Sequence, residues 1–267
     1  VGRFPENALL SHDLIESCFA KSGFLSDTIL VEDFPTTFKS YVSRDNRWVR
    51  GDWQLLPWLC PTIPNADGSK IKNPLDSLSL WMVFDNLRRS LLIPSFLALW
   101  WSNWLFVGSD KITLYAIILF FGHLLLEFFS IKRYWIHKIP VVEKIRLSIR
   151  FMVEKTILAA TSFTMVSVTA INKILAIMRT AHRLLMRKRL LEWVTHSEAE
   201  NVKNENDIIG YLVSSKAVYA NIAVLIGLFF LNKLTILNVL IVSIWALSPL
   251  FVFAISRPYP VVKISDC

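Results

Sequence analysis

The sequence predicts a mainly α-helical membrane protein, in which a polar region precedes a helical transmembrane region. Hydrophobic residues make up 54% of the 267 residues and the mean hydropathy is +0.45, whereas an average soluble domain is about half apolar. The excess lies mostly beyond Ser90, and the residues before it have an ordinary globular composition. We therefore expect part of a soluble unit, followed by membrane helices.

Short signals divide the polar region into elements. Ser11 is a typical N-cap residue and Gly23 a typical C-terminal residue, so a first helix is predicted between them. A strand is predicted at Thr28–Val31 because three of its four residues are β-branched. A second helix is predicted from Thr37, ending at the proline-rich turn near residue 60. Leu75–Arg89 is predicted to be an amphipathic helix that leads into the membrane.

Four apolar segments are candidate membrane spans, because a helix needs about 20 apolar residues to cross the bilayer core and shorter spans are tolerated. The linkers "GSDK" and "NK" are short enough to predict two helical hairpins. Pro94 is expected in the first turn of its span and Pro249 is expected to kink the last one. The spans are Leu91–Val107, Ile112–Ser130, Val218–Leu231 and Leu234–Ile255.

Ile157–Met178 is less apolar, since Ser162, Thr169, Asn172 and Lys173 interrupt it. Its apolar residues recur at steps of three and four, which indicates one face of a helix. The arginines at 179, 183 and 187 lie across from that face. We therefore predict a single amphipathic helix in the headgroup plane, with a true membrane span as the alternative.

The net charge of +8 is concentrated beside apolar segments, at residues 131–138 and 179–189. Basic residues in such places favour the cytoplasmic side of a membrane and its anionic lipids. No nucleic-acid binding motif accompanies them, so nucleic acid is excluded as a partner. The cysteines Cys18, Cys60 and Cys267 are odd in number and widely spaced, which predicts neither a disulfide framework nor a metal site.

Acidic and basic side chains in the polar region are candidates for chemistry. Asp13 at a helix start can act as a general base, and the arginines Arg44, Arg47 and Arg50 can neutralise a leaving diphosphate. Trp48 offers a flat face for a sugar ring. Asp13 could instead only complement the helix dipole, and the arginines could form a solvated face.

Two further alternatives concern residues beside this set. The tryptophans Trp48, Trp53 and Trp58 could form an interfacial belt. His12 and Glu16 have the i, i+4 spacing of a metal pair, but a third ligand is lacking.

In order along the chain, these motifs resemble a known family. Residues 3–59, which contain "SHDLIE" and "RDNRWVRGDWQ", resemble the end of the glycosyltransferase domain of cyclic β-1,2-glucan synthases. The resemblance continues through "NPLDSLSLWMVFDNLRRSLLIP", "RLLEWVTHSEAE" and "SPLFVFAISRP". More distantly, the chain resembles the glucosyltransferase of osmoregulated periplasmic glucans and cellulose synthase type processive transferases.

The resemblance implies roles for individual residues. Asp13 takes the place of the catalytic base, and residues 44–48 correspond to a Q-x-x-R-W motif in which Arg44 replaces the glutamine. Arg44, Arg47 and Arg50 would then bind the donor diphosphate. The acceptor sugar would be contacted by the remaining candidates, His12, Trp48, Asp52 and Gln54.

The resemblance also implies an organisation and partners. Residues 1–89 would be the C-terminal part of a cytoplasmic α/β, GT-A-like transferase domain, and residues 257–267 the start of a linker to a further domain. The segments between them would be a transmembrane hairpin (90–131), a basic interfacial segment (132–216) and a second hairpin (217–256). The expected partners are UDP-glucose, the growing glucan, membrane lipids and the fused upstream and downstream domains.

The expected activity is inverting transfer of glucose from UDP-glucose into cyclic β-1,2-glucan at the bacterial inner membrane. A divalent metal, Mg²⁺ or Mn²⁺, is expected with all its ligands outside this chain, which by itself would be inactive. The alternatives are a membrane anchor, a transporter-like segment, or a transferase that makes another β-glucan. His123 and Glu127, at i, i+4 within the second span, would mark a polymer path or pair with neighbouring groups.

Overall fold

The computed structural model describes residues 4–5, 8–10, 13–21, 23, 25–31, 37–67, 69–136, 138–186, 190–191, 212 and 215–256. The chain divides into two compact units. The first consists of residues 1–92, 171–211 and 250–267, and the second of residues 93–170 and 212–249. The described residues are mainly α-helical, which confirms the predicted fold class. His12 and Ser11 lie outside the described residues.

The first unit contains the polar elements predicted before the membrane region. Helix α1 spans Asp13–Ala20 and α2 spans Phe38–Gln54. A 3₁₀ turn at Leu56–Leu59 leads into the strands β1 (Thr62–Pro64) and β2 (Lys70–Lys72), which pair antiparallel. The sequence predicts only a turn here, because strands of three residues carry too short a pattern to recognise.

The strand predicted at Thr28–Val31 is wrong. These residues have no regular structure, and the side chains of Ile29 and Val31 are 85% and 92% exposed. A strand is stabilised by hydrogen bonds to a neighbour, and none of the described strands pairs with this segment. Its β-branched composition alone is therefore insufficient, as expected for a propensity that depends on packing.

A small hydrophobic core holds the polar elements together. Ile15 of α1 is completely buried and packs with Leu55 and Trp58, which follow α2, and with Ile63 of β1. The cluster also contains Leu9 and Val83, and Val83 lies on α3 (Ser77–Ser102). The first helix is therefore anchored against the C-terminal end of α2 and the hairpin.

The apolar helices follow the hairpin. After α3 the chain forms a π-helical turn at Asn103–Val107, then α4 (Asp110–Phe121), α5 (His123–Ser130) and α6 (Lys132–Ile136). The remaining helices are α7 (Val141–Thr164), α8 (Val166–Met186), α9 (Lys216–Phe230), α10 (Ile236–Ala246) and α11 (Ser248–Ile255).

Three helical stretches among the described residues are long and apolar enough to cross a membrane: Ser77–Val107, Asp110–Ile136 and Ile236–Ile255. They correspond to three of the four predicted spans, the last beginning two residues later than predicted. The fourth corresponds to α9, an apolar helix of only 15 residues. A fourth crossing is reached if α7 and α8 together count as one broken span.

The single amphipathic helix predicted over 157–178 is wrong in one respect. The helix breaks at Met165, where the axis turns by 62° between α7 and α8. The break follows a run of β-branched and hydroxyl side chains, "TSFTM", that compete with the backbone for hydrogen bonds; Thr164 donates from its hydroxyl to the Thr161 carbonyl at 2.7 Å. After the break, Val166, Ala170 and Ala176 of α8 are buried.

The two prolines behave differently from each other. Pro94 was predicted to lie in the first turn of its helix, and this is wrong. Helix α3 begins at Ser77 and continues past Pro94. Pro249 does accompany a break, which falls at Leu247 between α10 and α11. The Ser248 hydroxyl donates at 2.7 Å to the Trp245 carbonyl. That carbonyl is the group that an N–H at position 249 would bind.

Aromatic side chains fill the core of the second unit. The rings of Trp100 and Trp245 are 5.3 Å apart, and the rings of Trp104 and Phe163 lie within 6.0 Å of Trp245. The Trp100–Trp245 pair is edge-to-face, an arrangement that is favourable beyond the area that it buries. The Trp245 indole N–H donates to the Phe163 carbonyl at 2.9 Å, so its polar atom is satisfied as well.

Buried polar groups in the second unit pair with one another. Asn221 of α9 donates at 3.0 Å to the hydroxyl of Ser167 on α8, and both residues are completely buried. Thr113 accepts hydrogen bonds from Asn103 at 3.0 Å and from Trp104 at 2.8 Å. Hydrogen bonds between side chains of different helices commonly stabilise helix association in membrane proteins.

Candidate functional site

Helix α2 carries most of the predicted site residues. Thr37 caps it, accepting from the Ser40 N–H at 3.2 Å, and this confirms the predicted start. At 3.6 residues per turn, Asp45 and Asp52 lie on one face of α2, and Arg47, Arg50 and Gln54 lie on the opposite face. The helix therefore divides the candidate residues between two surfaces.

Arg44 and Trp48 are in direct contact, four residues apart on α2. The guanidinium carbon of Arg44 lies 4.8 Å from the centre of the Trp48 ring, a cation–π arrangement that contributes about 0.5–1 kcal/mol at an exposed site. Trp48 remains 45% exposed. A residue predicted for the diphosphate and one predicted for the acceptor sugar are thus brought together.

The arginines become more buried along the helix. Arg44 and Arg47 are half-buried, and Arg50 is only 5% exposed. The alternative that this run is a solvated face does not fit a guanidinium buried to that extent. Charges removed from water interact more strongly with other charges, so these guanidinium groups interact more strongly with a neighbouring anionic group than they would on a solvated helix.

Gln54 connects two backbone segments to the end of α2. Its side-chain oxygen accepts from the Leu10 N–H at 2.7 Å, and its side-chain nitrogen donates to the Leu190 carbonyl at 2.9 Å. The residue is 1% exposed. Its amide is therefore engaged with the backbone, and the structure supports a positioning role for Gln54; contact with an acceptor sugar stays a prediction.

Two carboxylates on the other face of α2 bind helices α3 and α8. Asp52 accepts from the Asn86 amide at 3.2 Å, and Asp45 lies 3.7 Å from the Lys173 ammonium. Burial raises the pKa of both carboxyls, and the partner groups Asn86 and Lys173 oppose that effect. Burial disfavours the charged form of a carboxyl, whereas a nearby cation favours it.

A polar network extends from Asp52 along α3. Asn86 is hydrogen-bonded to Arg89, and Asp85 pairs with Arg88 at 2.6 Å and with Arg89 at 3.1 Å. The Trp53 indole N–H donates to the Ser90 hydroxyl at 2.9 Å. Helix α2 is thus attached to the first half of α3, just before its most apolar residues.

Asp13 is the first residue of α1 and is exposed. The buried Ile15 and the Leu10–Gln54 hydrogen bond place α1 beside the C-terminal end of α2. Arg44 is ten residues before Gln54, about 15 Å along the helix axis. The structure therefore joins Asp13 and the arginine helix within one unit, with α1 next to the end of α2 that is farthest from Arg44.

Sequence reasoning missed the residues that hold α2 in place. Lys173, Asn86 and Ser90 were not candidates, although each binds an α2 side chain. Lys173 did leave a signal, because it interrupts an apolar stretch. A charged residue in such a place is seldom tolerated without a partner, so a search for its carboxylate partner could have found Asp45.

His123 and Glu127 do not pair with each other. The His123 ring donates to the Phe120 carbonyl at 2.9 Å through Nδ1, and Glu127 binds Lys155 of α7 at 2.7 Å. Of the two expectations for these residues, the structure supports pairing with neighbouring groups.

The described residues offer no metal site. They contain no group of three or more histidine, cysteine, aspartate or glutamate side chains placed to hold an ion, and a hard divalent cation requires several such oxygen ligands. The residues of α1 and α2 therefore do not fit a resident metal, and no chemical step through one is assigned to them.

Long apolar helices, with a polar helical region attached to the first of them, are the features of a membrane protein of the mainly α class. Over 120 residues the chain is 39% identical to cyclic beta-(1,2)-glucan synthase NdvB of Rhizobium meliloti (strain 1021). The match covers 45% of this chain and 4% of that relative, so the chain spans a small fraction of the relative's length. No protein-family model matches the chain. The similarity confirms the resemblance inferred from the sequence motifs.

Proposed function

We propose that the chain is part of a membrane-bound, inverting glucosyltransferase that polymerises glucose from UDP-glucose into β-1,2-glucan. The observation that carries the proposal is the 39% identity over 120 residues to a cyclic beta-(1,2)-glucan synthase. The long apolar helices support the membrane location. Cyclisation of the product and the linkage itself rest on that similarity alone.

In this proposal Asp13 is the general base. Its carboxylate takes the proton from the acceptor 2-hydroxyl as that oxygen attacks the anomeric carbon of the donor glucose. The bond between that carbon and the UDP oxygen breaks from the opposite side, so the configuration inverts. UDP leaves with the electron pair, and the exposure of Asp13 at a helix start is compatible with approach by a sugar hydroxyl.

The arginines of α2 would stabilise the departing UDP. Negative charge grows on the diphosphate as the bond breaks, and fixed cations aimed at that charge lower the barrier most. Arg44 is held over the Trp48 ring and Arg47 is half-buried, and both features restrict the side chains before substrate binds. The exposed part of Trp48 would support the acceptor sugar.

The location is proposed to be the bacterial inner membrane, with the polar region in the cytoplasm. The hydrogen bonds from α2 to Asn86 and Ser90 attach the arginine helix to α3, whose later residues are apolar. The basic segments around residues 132–146 and 179–183 favour the cytoplasmic side. A transferase that makes an exported polymer would be suitably placed at that surface.

The base assignment is tested with Asp13→Asn in the complete protein, assayed in membranes with radiolabelled UDP-glucose. We expect glucose incorporation to fall by about 10²–10⁴-fold, the usual contribution of a general base, while UDP-glucose binding is retained. Asp27→Asn is the matched control, because Asp27 is also an exposed aspartate of the polar region. Incorporation by Asp13→Asn at the level of the control would show that Asp13 is not the base.

The alternatives give different outcomes in the same assay. A membrane anchor or a transporter-like segment predicts full incorporation with the Asp13→Asn variant, since its side chains would take no part in transfer. A transferase for another glucan predicts the loss of activity, but a different linkage when the wild-type product is methylated and hydrolysed.

A further inference from the structure

Helix α6 and the first residues of α7 form a strongly basic surface. We call residues 132–136 and 138–146 the basic hairpin. Its basic residues, Lys132, Arg133, Lys138, Lys144 and Arg146, outnumber its only acidic residue, Glu143. Glu143 lies 3.8 Å from Arg146 and therefore offsets one of the five positive charges. The basic hairpin consequently presents a concentrated positive charge.

Aromatic rings hold the most central cations in place. The Arg133 guanidinium carbon lies 4.5 Å from the ring centre of Phe151 and 5.1 Å from that of Tyr134. Phe151 is buried on α7, so Arg133 is fixed between α6 and α7 while remaining exposed. Ring faces engage the face of a guanidinium, and its N–H groups point outward in the plane, where they suit phosphate oxygens.

A second cation is positioned in the same way. The Lys144 ammonium donates to the Trp135 carbonyl at 3.3 Å and lies 5.8 Å from the centre of the Trp135 ring. Further along α7, Lys155 binds Glu127 of α5 at 2.7 Å, and this ion pair joins α7 to α5. Arg133 and Lys144 are therefore both held by contacts between α6 and α7.

Exposed apolar side chains are interleaved with these cations. Trp135 is 49% exposed and Ile136 is 76% exposed, and Val141, Val142 and Ile145 are also exposed. The first residues of the hairpin, 132–136, are the last residues of the apolar stretch Asp110–Ile136. Basic groups beside exposed aromatic and aliphatic groups at the end of a span are the composition expected where the hydrocarbon meets the headgroups.

We propose that the basic hairpin binds the headgroups of anionic phospholipids, with Arg133 and Lys144 as the phosphate contacts. The charge complementarity favours an anionic headgroup over a zwitterionic one, and the exposed apolar side chains favour a lipid over a soluble anion. A basic residue near an anionic surface contributes about 1 kcal/mol, or about five-fold in binding. Loss of both contacts should therefore weaken binding about 25-fold. The proposal is independent of the glucosyltransferase activity.

The test uses the full chain in detergent, titrated with phosphatidylglycerol or phosphatidylcholine, and native mass spectrometry counts the retained lipid. The variant is Arg133→Gln with Lys144→Gln, and the charge-matched control is Lys72→Gln with Lys111→Gln, two exposed lysines outside the hairpin. We expect the wild type and the control to bind phosphatidylglycerol more tightly than phosphatidylcholine. In the hairpin variant the affinity for phosphatidylglycerol should fall about 25-fold relative to the wild type.

Three results would overturn the proposal. They are equal retention of the two lipids by the wild type, equal losses in variant and control, and displacement of phosphatidylglycerol by millimolar inorganic phosphate. A second measurement covers the case in which the variant fails to fold. The preference of the wild-type chain should fall as NaCl is raised, and a preference unchanged by salt contradicts a headgroup contact.

Discussion

Replacing Gln54 by methionine should release the first helix from the end of α2. The change keeps the length of the side chain but removes the acceptor for the Leu10 N–H and the donor for the Leu190 carbonyl, which lie at 2.7 and 2.9 Å. A hydrogen bond contributes about 1 kcal/mol net, and a buried group left unpaired loses more. Only the Leu10 bond involves the first helix, so its loss gives about 1 kcal/mol, or about a five-fold increase in the population in which that helix is released.

Hydrogen–deuterium exchange measured by mass spectrometry on the peptide around residues 8–20 reports this opening. In Gln54→Met the exchange of that peptide should speed up about five-fold, because exchange follows the opened population. Lys39→Met is the control, since Lys39 lies on the same helix and is exposed. Exchange within two-fold of the wild type, or an equal rise in Lys39→Met, would refute the view that Gln54 anchors this segment.

Three further predictions concern stability. Burial raises the pKa of Asp45 and Asp52 above the ordinary value of 3.8. Between pH 3.8 and the raised pKa, the folded state therefore binds more protons than the unfolded state. The free energy of unfolding consequently falls as pH rises through that window. Thermal melting should therefore show that the stability of the wild type relative to the Asp45→Asn/Asp52→Asn variant falls as pH rises from about 3.8 to 7. A wild type that gains stability relative to the variant over this range contradicts the reasoning. Ser248→Ala should lower the unfolding free energy by about 1 kcal/mol, because the Trp245 carbonyl loses its 2.7 Å hydroxyl donor. The same change should have almost no effect in a Pro249→Ala background, where the new N–H replaces that donor. If a double-mutant cycle measured by SDS unfolding shows no coupling between the two positions, the N–H does not replace the hydroxyl. Trp245→Phe removes a fully buried indole and its hydrogen bond and should lower the unfolding free energy by roughly 2–3 kcal/mol in the same assay, whereas Trp81→Phe, at an exposed position, should change it by less than about 0.5 kcal/mol.

The sequence revealed those elements whose signals are local and repeated. Long apolar stretches and short polar linkers located the main apolar helices, and Thr37 correctly marked the start of α2. Short elements and breaks were harder. The strand at Thr28–Val31 has suitable residues without a partner, and the turn at Met165 divides a helix whose periodicity continues on both sides.

The sequence predicted that the candidate residues share one helix, and it predicted their geometry less well. The arginines and Trp48 do share α2, but the contact between Arg44 and Trp48 and the burial of Arg50 depend on how the helix is packed. The side-chain amide of Gln54 is a group that often binds ligands. Its partners here are backbone groups 44 and 136 residues away in sequence. Contacts over such separations leave no periodic trace along the chain.

The buried pair formed by Asn221 and Ser167 limits how α9 can slide along α8. Movement by one helical turn, about 5.4 Å, would carry the amide away from its hydroxyl and strand it among hydrocarbon side chains. Apolar contacts alone would resist such slippage only weakly, because one leucine-like surface resembles the next. The Asn221–Ser167 hydrogen bond thus specifies the register of two apolar helix surfaces. Replacing Asn221 with leucine should make the register of α9 against α8 less well defined and leave the helix content unchanged.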